Sequence, residues 1–220
     1  VTGGFRRLHV LVEGQTEEVV VNTVIGPHLR SFGWHTTYSL VKTKRPASGP
    51  SHKGGITSWR QVQTDIRLLL GDSSLEVLTT MFDYYAFPAE SPGMADRPSG
   101  DVYQRVEHVE RALAAAFGDR RLRPNLVLHE LEAWVFAAAD ELGVLLGDEL
   151  AALLRRDVLT AGGPEMVNDR PETAPSKRLL AYCPTYLKTS DGPLAIEELG
   201  IGKLRAQCPH LDAWLRTLEE

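Results

Sequence analysis

The sequence predicts an α/β protein with a parallel-rich central sheet flanked by helices and a helical C-terminal extension. Three observations predict it: short apolar runs that end in an acid, helical spacing between those runs, and the loss of strand-like runs after Asp140. Short buried strands alternating with helical crossovers are the pattern of a parallel sheet covered on both faces. On this reading residues 1–140 form the α/β core, and residues 141–220 form a helical region packed on it within one domain.

The elements follow in order. Residues 8–12 form a nearly continuous apolar run closed by Glu13-Gly14, the pattern of a buried parallel strand with a turn at its carboxyl end. Thr16 is the expected N-cap of the next helix, with Glu17 and Glu18 in its first turn. Val20, Val24 and Ile25 carry an apolar stripe toward Leu29, and Gly33 stops it. A second strand is expected over 35–41, followed by a basic, glycine-containing loop over 42–55. Helical spacing over 59–70 leads to a strand over 75–82 that ends in Asp83. After a proline-rich loop over 86–100, Asp101 caps a helix over 102–117. A short strand over 124–128 then runs into a helix opening His129-Glu130-Leu131-Glu132. The stretch 160–176 is rich in Gly, Pro, Asn and Asp, which marks a linker or a loop folded back over a site.

Bulk properties narrow the function classes. With 43% hydrophobic and 24% charged residues, the 220-residue chain has an ordinary globular composition, so disorder and fibrous repeats are excluded. No apolar run approaches the ~20 residues of a membrane span, and residues 1–7 lead into a strand instead of a signal-peptide core, so a cytoplasmic location is expected. A net charge of -5 argues against capture of nucleic acid by the whole surface but leaves room for a local basic patch. Cys183 and Cys208 are too few for a tetrahedral zinc site, and the expected compartment disfavours a disulfide between them. Trp59, Trp134 and Trp214 fall in apolar helical patterns and read as core residues; the pattern leaves Trp34 undecided.

In open α/β sheets ligands bind outside the carboxyl ends of the strands, which is where Glu13 and Asp83 are expected. On neighbouring strands their carboxylates would repel unless protonated or bridged by a cation. Hard oxygen ligands in small number, completed by waters, suit Mg2+ or Mn2+. For an arbitrary α/β protein, two solvated strand-end acids are the commoner explanation. Glu130 and Glu132 offer further carboxylates, and His129 lies one turn from Glu132 if all three begin a helix. Lys177, Arg178 and Lys188 are candidates to meet phosphate, although spacing alone fits ordinary surface residues better.

A strand ending Glu13-Gly14, a helix opening Thr16-Glu17 and a later strand ending in Asp83 resemble the Toprim fold of topoisomerases, primases and related nucleases. More narrowly, Val12-Glu13-Gly14-Gln15-Thr16-Glu17, the run through Phe82-Asp83-Tyr84-Tyr85, His129-Glu130-Leu131-Glu132-Ala133, the segment 168–178 and Cys208-Pro209-His210 are similar to a bacterial family of small Toprim-like proteins catalogued as a domain of unknown function. The resemblance implies a Toprim-like core, genes lying beside ABC-type ATPases, and roles in phage defence. The Toprim resemblance also implies Mg2+-dependent phosphodiester chemistry at Glu13 and Asp83, and the leading expectation is Mg2+- or Mn2+-dependent cleavage of DNA or RNA with Glu13 and Asp83 as metal ligands, Glu130 or Glu132 assisting, and Lys177, Arg178 or Lys188 stabilising phosphate. The chain departs from the Toprim pattern at Tyr85, where a catalytic domain carries a second aspartate; a neutral phenol cannot replace that charge at pH 7. Two other readings stand beside the nuclease: a non-catalytic module of an ATPase complex, and a phosphotransferase or phosphatase acting on a small substrate.

Overall fold

The structure is a computed structural model that describes residues 6–42, 55–168 and 173–220. Most of the expected basic loop, and residues 169–172 of the stretch after residue 160, lie outside the described residues. Strand β1 (Arg6–Val12) leads into helix α1 (Gln15–Val20), a π turn (Val21–Ile25) and helix α2 (Gly26–Arg30) before strand β2 (Trp34–Leu40). Helix α3 (Trp59–Leu70) precedes strand β3 (Val77–Asp83), and helix α4 (Val102–Phe117) precedes strands β4 (Leu122–Arg123) and β5 (Leu126–Val127). Helices α5 (Glu132–Ala137), α6 (Ala139–Leu146) and α7 (Asp148–Ala161), a 3-10 turn (Pro164–Met166), and helices α8 (Pro175–Tyr182), α9 (Asp191–Leu199), α10 (Ile201–Gln207) and α11 (Pro209–Glu219) complete the chain.

The strands pair in parallel in the order β2-β1-β3-β4, with β5 also paired to β3. Side-chain alternation sorts β1 between two apolar layers. Leu8, Val10 and Val12 pack with Val20 and Leu29 of the first crossover and with Leu211 and Leu215 of α11. Leu11 packs on the other layer with Val62 and Ile66 of α3 and Val106 of α4. All seven residues of β3 are buried, as a central strand covered on both faces requires.

Several local expectations are corrected. Gly14, not Thr16, occupies the N-cap position of α1, and Thr16 lies inside the helix. The first crossover is not one regular helix: it carries the π turn just before Pro27, whose ring nitrogen has no proton for the helical ladder. The strand expected over 124–128 is only Leu126–Val127, with another short strand, Leu122–Arg123, before it; Pro124, which cannot donate to a ladder, lies in the break between them. Thr80 fills the gap there, its hydroxyl donating to Asn125 O at 2.8 Å and accepting from Asn125 N at 3.0 Å. His129 and Glu130 are outside any helix; α5 starts at Glu132 because His129 is left-handed, with φ 65°. His129 and Glu132 therefore do not share a helical face.

The C-terminal helices return to the sheet. Trp214 Nε1 donates to Thr79 Oγ1 at 2.8 Å, which satisfies a hydroxyl buried in the middle of β3. Trp34 is also core, its Nε1 donating to Leu218 O at 2.6 Å. Cys208-Pro209-His210 opens α11: Glu165 accepts the backbone N-H groups of His210 at 3.0 Å and Leu211 at 3.1 Å, and the His210 ring pairs with Glu110 at 3.1 Å. That motif is a capping device for α11, and both cysteines are free thiols.

Candidate functional site

The chain leaves β1 to pair β2 on one side, then crosses to place β3 on the other. The crevice between the carboxyl ends of β1 and β3 is thus the topological switch point, where sheets of this kind bind ligands. Register sets Val12 opposite Met81, and Glu13 N donates to Met81 O at 3.3 Å. Glu13, one residue beyond Val12, and Asp83, two beyond Met81, then come within reach of each other. Glu13 Oε2 accepts the backbone N-H of Asp83 at 3.1 Å, and its Oε1 accepts that of Ile56 at 3.4 Å. Asp83 Oδ1 accepts the N-H of Leu131 at 3.1 Å, which ties β3 to the start of α5.

A third acid shares this crevice. Glu17 is buried in the first turn of α1. A Cβ at Gly14 would lie 3.1 Å from Glu17 Oε2, so the glycine leaves room for the carboxylate to fold back over the turn. Glu17 keeps the first-turn place its sequence position predicts, and its charge also acts on Asp83.

Burial pushes the Asp83 carboxyl well above the usual carboxylate range, and the neighbouring Glu13 and Glu17 charges push it further. Burial likewise raises Glu13 and Glu17, against the pull of backbone N-H groups and of Lys188. Glu132 is fully buried at the start of α5, and burial raises it too. Lys188 Nζ lies 3.1 Å from Glu132 Oε1, and among the described residues neither Glu132 oxygen has a well-aligned hydrogen bond. Burial would lower the lysine, but Glu132 and Asp83 outweigh it, so the ammonium stays charged. Lys188 is the internal counter-charge of the crevice.

The turn carrying Lys188 is built to hold it. Asp191 accepts the Leu187 N-H at 2.8 Å and the Ser190 hydroxyl at 3.1 Å. Tyr186 seats over Gly192, where a Cβ would stand 2.4 Å from the phenol oxygen. These supports lie 50 or more residues from the acids in sequence, and only Asp191-Gly192 beside Lys188 hinted at them.

The remaining candidates separate. Glu130 Oε2 accepts the Ser176 N-H at 3.0 Å and so ties the turn after β5 to the start of α8. Lys177 is exposed on α8, and Lys188 is paired with Glu132. Among the described residues no three His, Cys, Asp or Glu side chains converge as ligands of one ion, so the four expected acids do not form a single ligand set. Of those four, Glu13 and Asp83 are joined directly, through the Asp83 N-H.

Beside the crevice lies a cleft of about 690 Å³ that none of Glu13, Asp83, Glu132 or Lys188 lines. Its walls include Tyr84, Tyr85, Arg97, Arg105 and Arg178. Arg178 is fixed there by Thr173 O at 2.8 Å and by the buried carboxylate of Asp157 at 3.1 Å. Asp157 also accepts the Tyr182 hydroxyl at 2.7 Å. Sequence reasoning singled out Arg178 but missed Arg97, Arg105 and Asp157, which sit in unremarkable loop and helix patterns.

Fold and site together define a parallel α/β protein with an acidic crevice at its switch point, beside which Lys188 pairs with Glu132. The chain belongs to the family described as Domain of unknown function (DUF4276), whose model matches residues 12–219. No curated protein matches it. Among solved structures it is similar to the C-terminal region of the OLD protein of Xanthomonas campestris pv. campestris, at 17% identity and a TM-score of 0.39 over 97% of this chain and 98% of that one. A likeness that loose carries no function across.

Proposed function

We propose that this protein is a Toprim-like, Mg2+- or Mn2+-dependent nuclease that cleaves phosphodiester bonds of DNA or RNA. The observation that carries the reading is that the half-buried Glu13 carboxylate accepts the backbone N-H of the buried Asp83 at the switch point, which brings the two acids to one crevice. The donor chemistry fits the ion: hard oxygens, a buried excess of negative charge, and a buried Glu132 whose partner is a single ammonium. Mg2+ is commonly held by one or two carboxylates, with waters and substrate phosphate completing its shell. Glu13 and Asp83 would hold the ion, which when bound would polarise a phosphoryl oxygen and lower the pKa of a water.

The other residues serve the phosphate. Lys188, charged and held by Glu132, supplies a fixed positive charge where negative charge grows on the phosphoryl oxygens. Glu132 acts through Lys188 as a positioning residue. Glu17 adds negative potential beside Glu13 and favours a cation over an empty crevice. The family resemblance adds an ABC-type ATPase partner and a setting in phage defence.

A second reading, a non-catalytic binding module of an ATPase complex, is favoured by Tyr85, which lines the cleft at the position of the second Toprim aspartate. Incubation with supercoiled plasmid, single-stranded DNA and total tRNA separates the two. Expected is cleavage of at least one substrate in Mg2+ or Mn2+, lost in EDTA and in Glu13→Gln, which keeps side-chain volume but removes an anionic ligand. Absence of metal-dependent cleavage of all three, by protein that still binds them, supports the module instead.

A further inference from the structure

We propose that the cleft beside the acidic crevice binds a nucleotide, its phosphate against Arg105 and Arg178 and its base against Tyr85. The inference rests on the nuclease reading only in so far as the bound nucleotide belongs to the strand being cut. A volume of about 690 Å³ is in the range of small-molecule sites.

The arginines differ in how they are held, and the difference points to an anion. Arg97 donates to Met94 O at 2.9 Å and to the Tyr84 hydroxyl at 3.1 Å, with its guanidinium 5.8 Å from the Tyr84 ring centroid. Arg178 is oriented by Asp157, an acid buried in α7 whose charge is taken up by Arg178, Arg156 and the Tyr182 hydroxyl. A buried carboxylate holding an arginine at a cleft wall is the arrangement that pre-organises a guanidinium for a phosphate. Arg105, in the first turn of α4, has no side-chain hydrogen bond or ion pair among the described residues, so its donors face the cleft uncommitted.

Charge within the cleft agrees. Its lining holds three arginines against two aspartates, of which Asp101 caps α4 through the Gln104 N-H at 2.9 Å and Asp157 is paired with Arg178, so positive charge is in excess. In a chain of net charge -5, this is a local positive site.

The lining is also partly apolar and aromatic. Tyr85, 41% exposed, lines the cleft together with Met166 and Val167. Arginines and an exposed aromatic ring in one cleft are the combination that takes a base and its phosphate together. It also accounts for the departure at position 85: its side chain serves the cleft, two residues beyond Asp83. His129, the non-glycine residue with positive φ among those described, lines the same cleft, and backbone strain of that kind gathers at ligand sites.

Binding is measured in EDTA, so that it does not depend on cleavage. The probes are AMP, ribose 5-phosphate and a fluorescein-labelled, 5′-phosphorylated oligothymidylate, titrated by calorimetry or anisotropy. Saturable binding of AMP assigns a free nucleotide; saturable binding of the oligonucleotide alone assigns a nucleotide of a strand. In either case Arg105→Ala, at an exposed side chain with no partner to orphan, should weaken binding about 10-fold. Tyr85→Ala should weaken the base-containing probe and leave ribose 5-phosphate unchanged. Glu13→Gln should bind as the unaltered protein does even where it no longer cleaves, which separates this proposal from the nuclease reading. No saturable binding of AMP or oligonucleotide, or binding indifferent to both Arg105→Ala and Tyr85→Ala, overturns it.

Discussion

Asp83→Asn should make the metal-free protein more stable while removing metal-dependent cleavage. Asn keeps the Oδ1 acceptor for the Leu131 N-H and nearly the same volume, so what is lost is a charge held in burial beside Glu13 and Glu17. The sign with pH follows from a folded-state pKa raised above the unfolded one. The Asp83 contribution is fully present below the ordinary carboxylate pKa and is lost as pH rises through the raised folded value. The asparagine variant should therefore gain on the order of 1 kcal/mol at pH 8, and this gain should vanish near pH 3, where the carboxyl is protonated folded or unfolded. Urea denaturation at both pH values measures it. Cleavage should fall at least ~100-fold, since a direct ligand is worth no less than the residues that orient ligands. An Asp83→Asn protein less stable at pH 8 than the parent would mean that Asp83 is held by a compensating partner.

Lys188→Met should have the opposite effect on stability and the same effect on activity. Methionine keeps the apolar stem and removes the ammonium 3.1 Å from Glu132 Oε1, leaving a fully buried carboxylate without its counter-charge. Breaking a buried pair costs ~3–5 kcal/mol, but the Lys188 side chain is 44% exposed, so solvent screening reduces the expected loss to about 1–2 kcal/mol. The loss should be full above the raised Glu132 pKa and should shrink as pH falls through it, because a protonated Glu132 needs no counter-charge. Adding Glu132→Gln should return most of the stability but none of the activity, a double-mutant cycle that isolates the pair. Cleavage should drop ~10²–10³-fold, the usual cost of removing one pre-organised charge from a transition state. A stability loss that grows toward acid pH would contradict the pairing.

The parts of this protein legible in its sequence are those set by local pattern. Residues 8–12 and 77–83 are short apolar runs ending in acids, and their burial as β1 and β3 follows from composition alone. Helices α3 and α4 were equally readable from spacing and, for α4, from the Asp101 cap. The expectation for residues 129–132 failed because a left-handed His129 is decided by tertiary context, by the turn that brings the Leu131 N-H to Asp83. Glu13 and Asp83 were legible as a pair because parallel strands put both at one sheet edge. The choice of Lys188 over Lys177 was not, because it depends on how a turn tied by Asp191 folds back across the sheet. Arg97, Arg105 and Asp157 carried no signal, since an arginine in a loop or helix reads the same whether it faces solvent or a cleft.

The claim that Glu13 and Asp83 hold a divalent ion is tested most directly by titrating Mn2+ into the unaltered protein, Glu13→Gln and Asp83→Asn by calorimetry at pH 7.5. Saturable binding to the unaltered protein, weakened at least ~10-fold in each folded variant, is the expected result. Absence of binding to the unaltered protein, or equal affinity in all three, would contradict it.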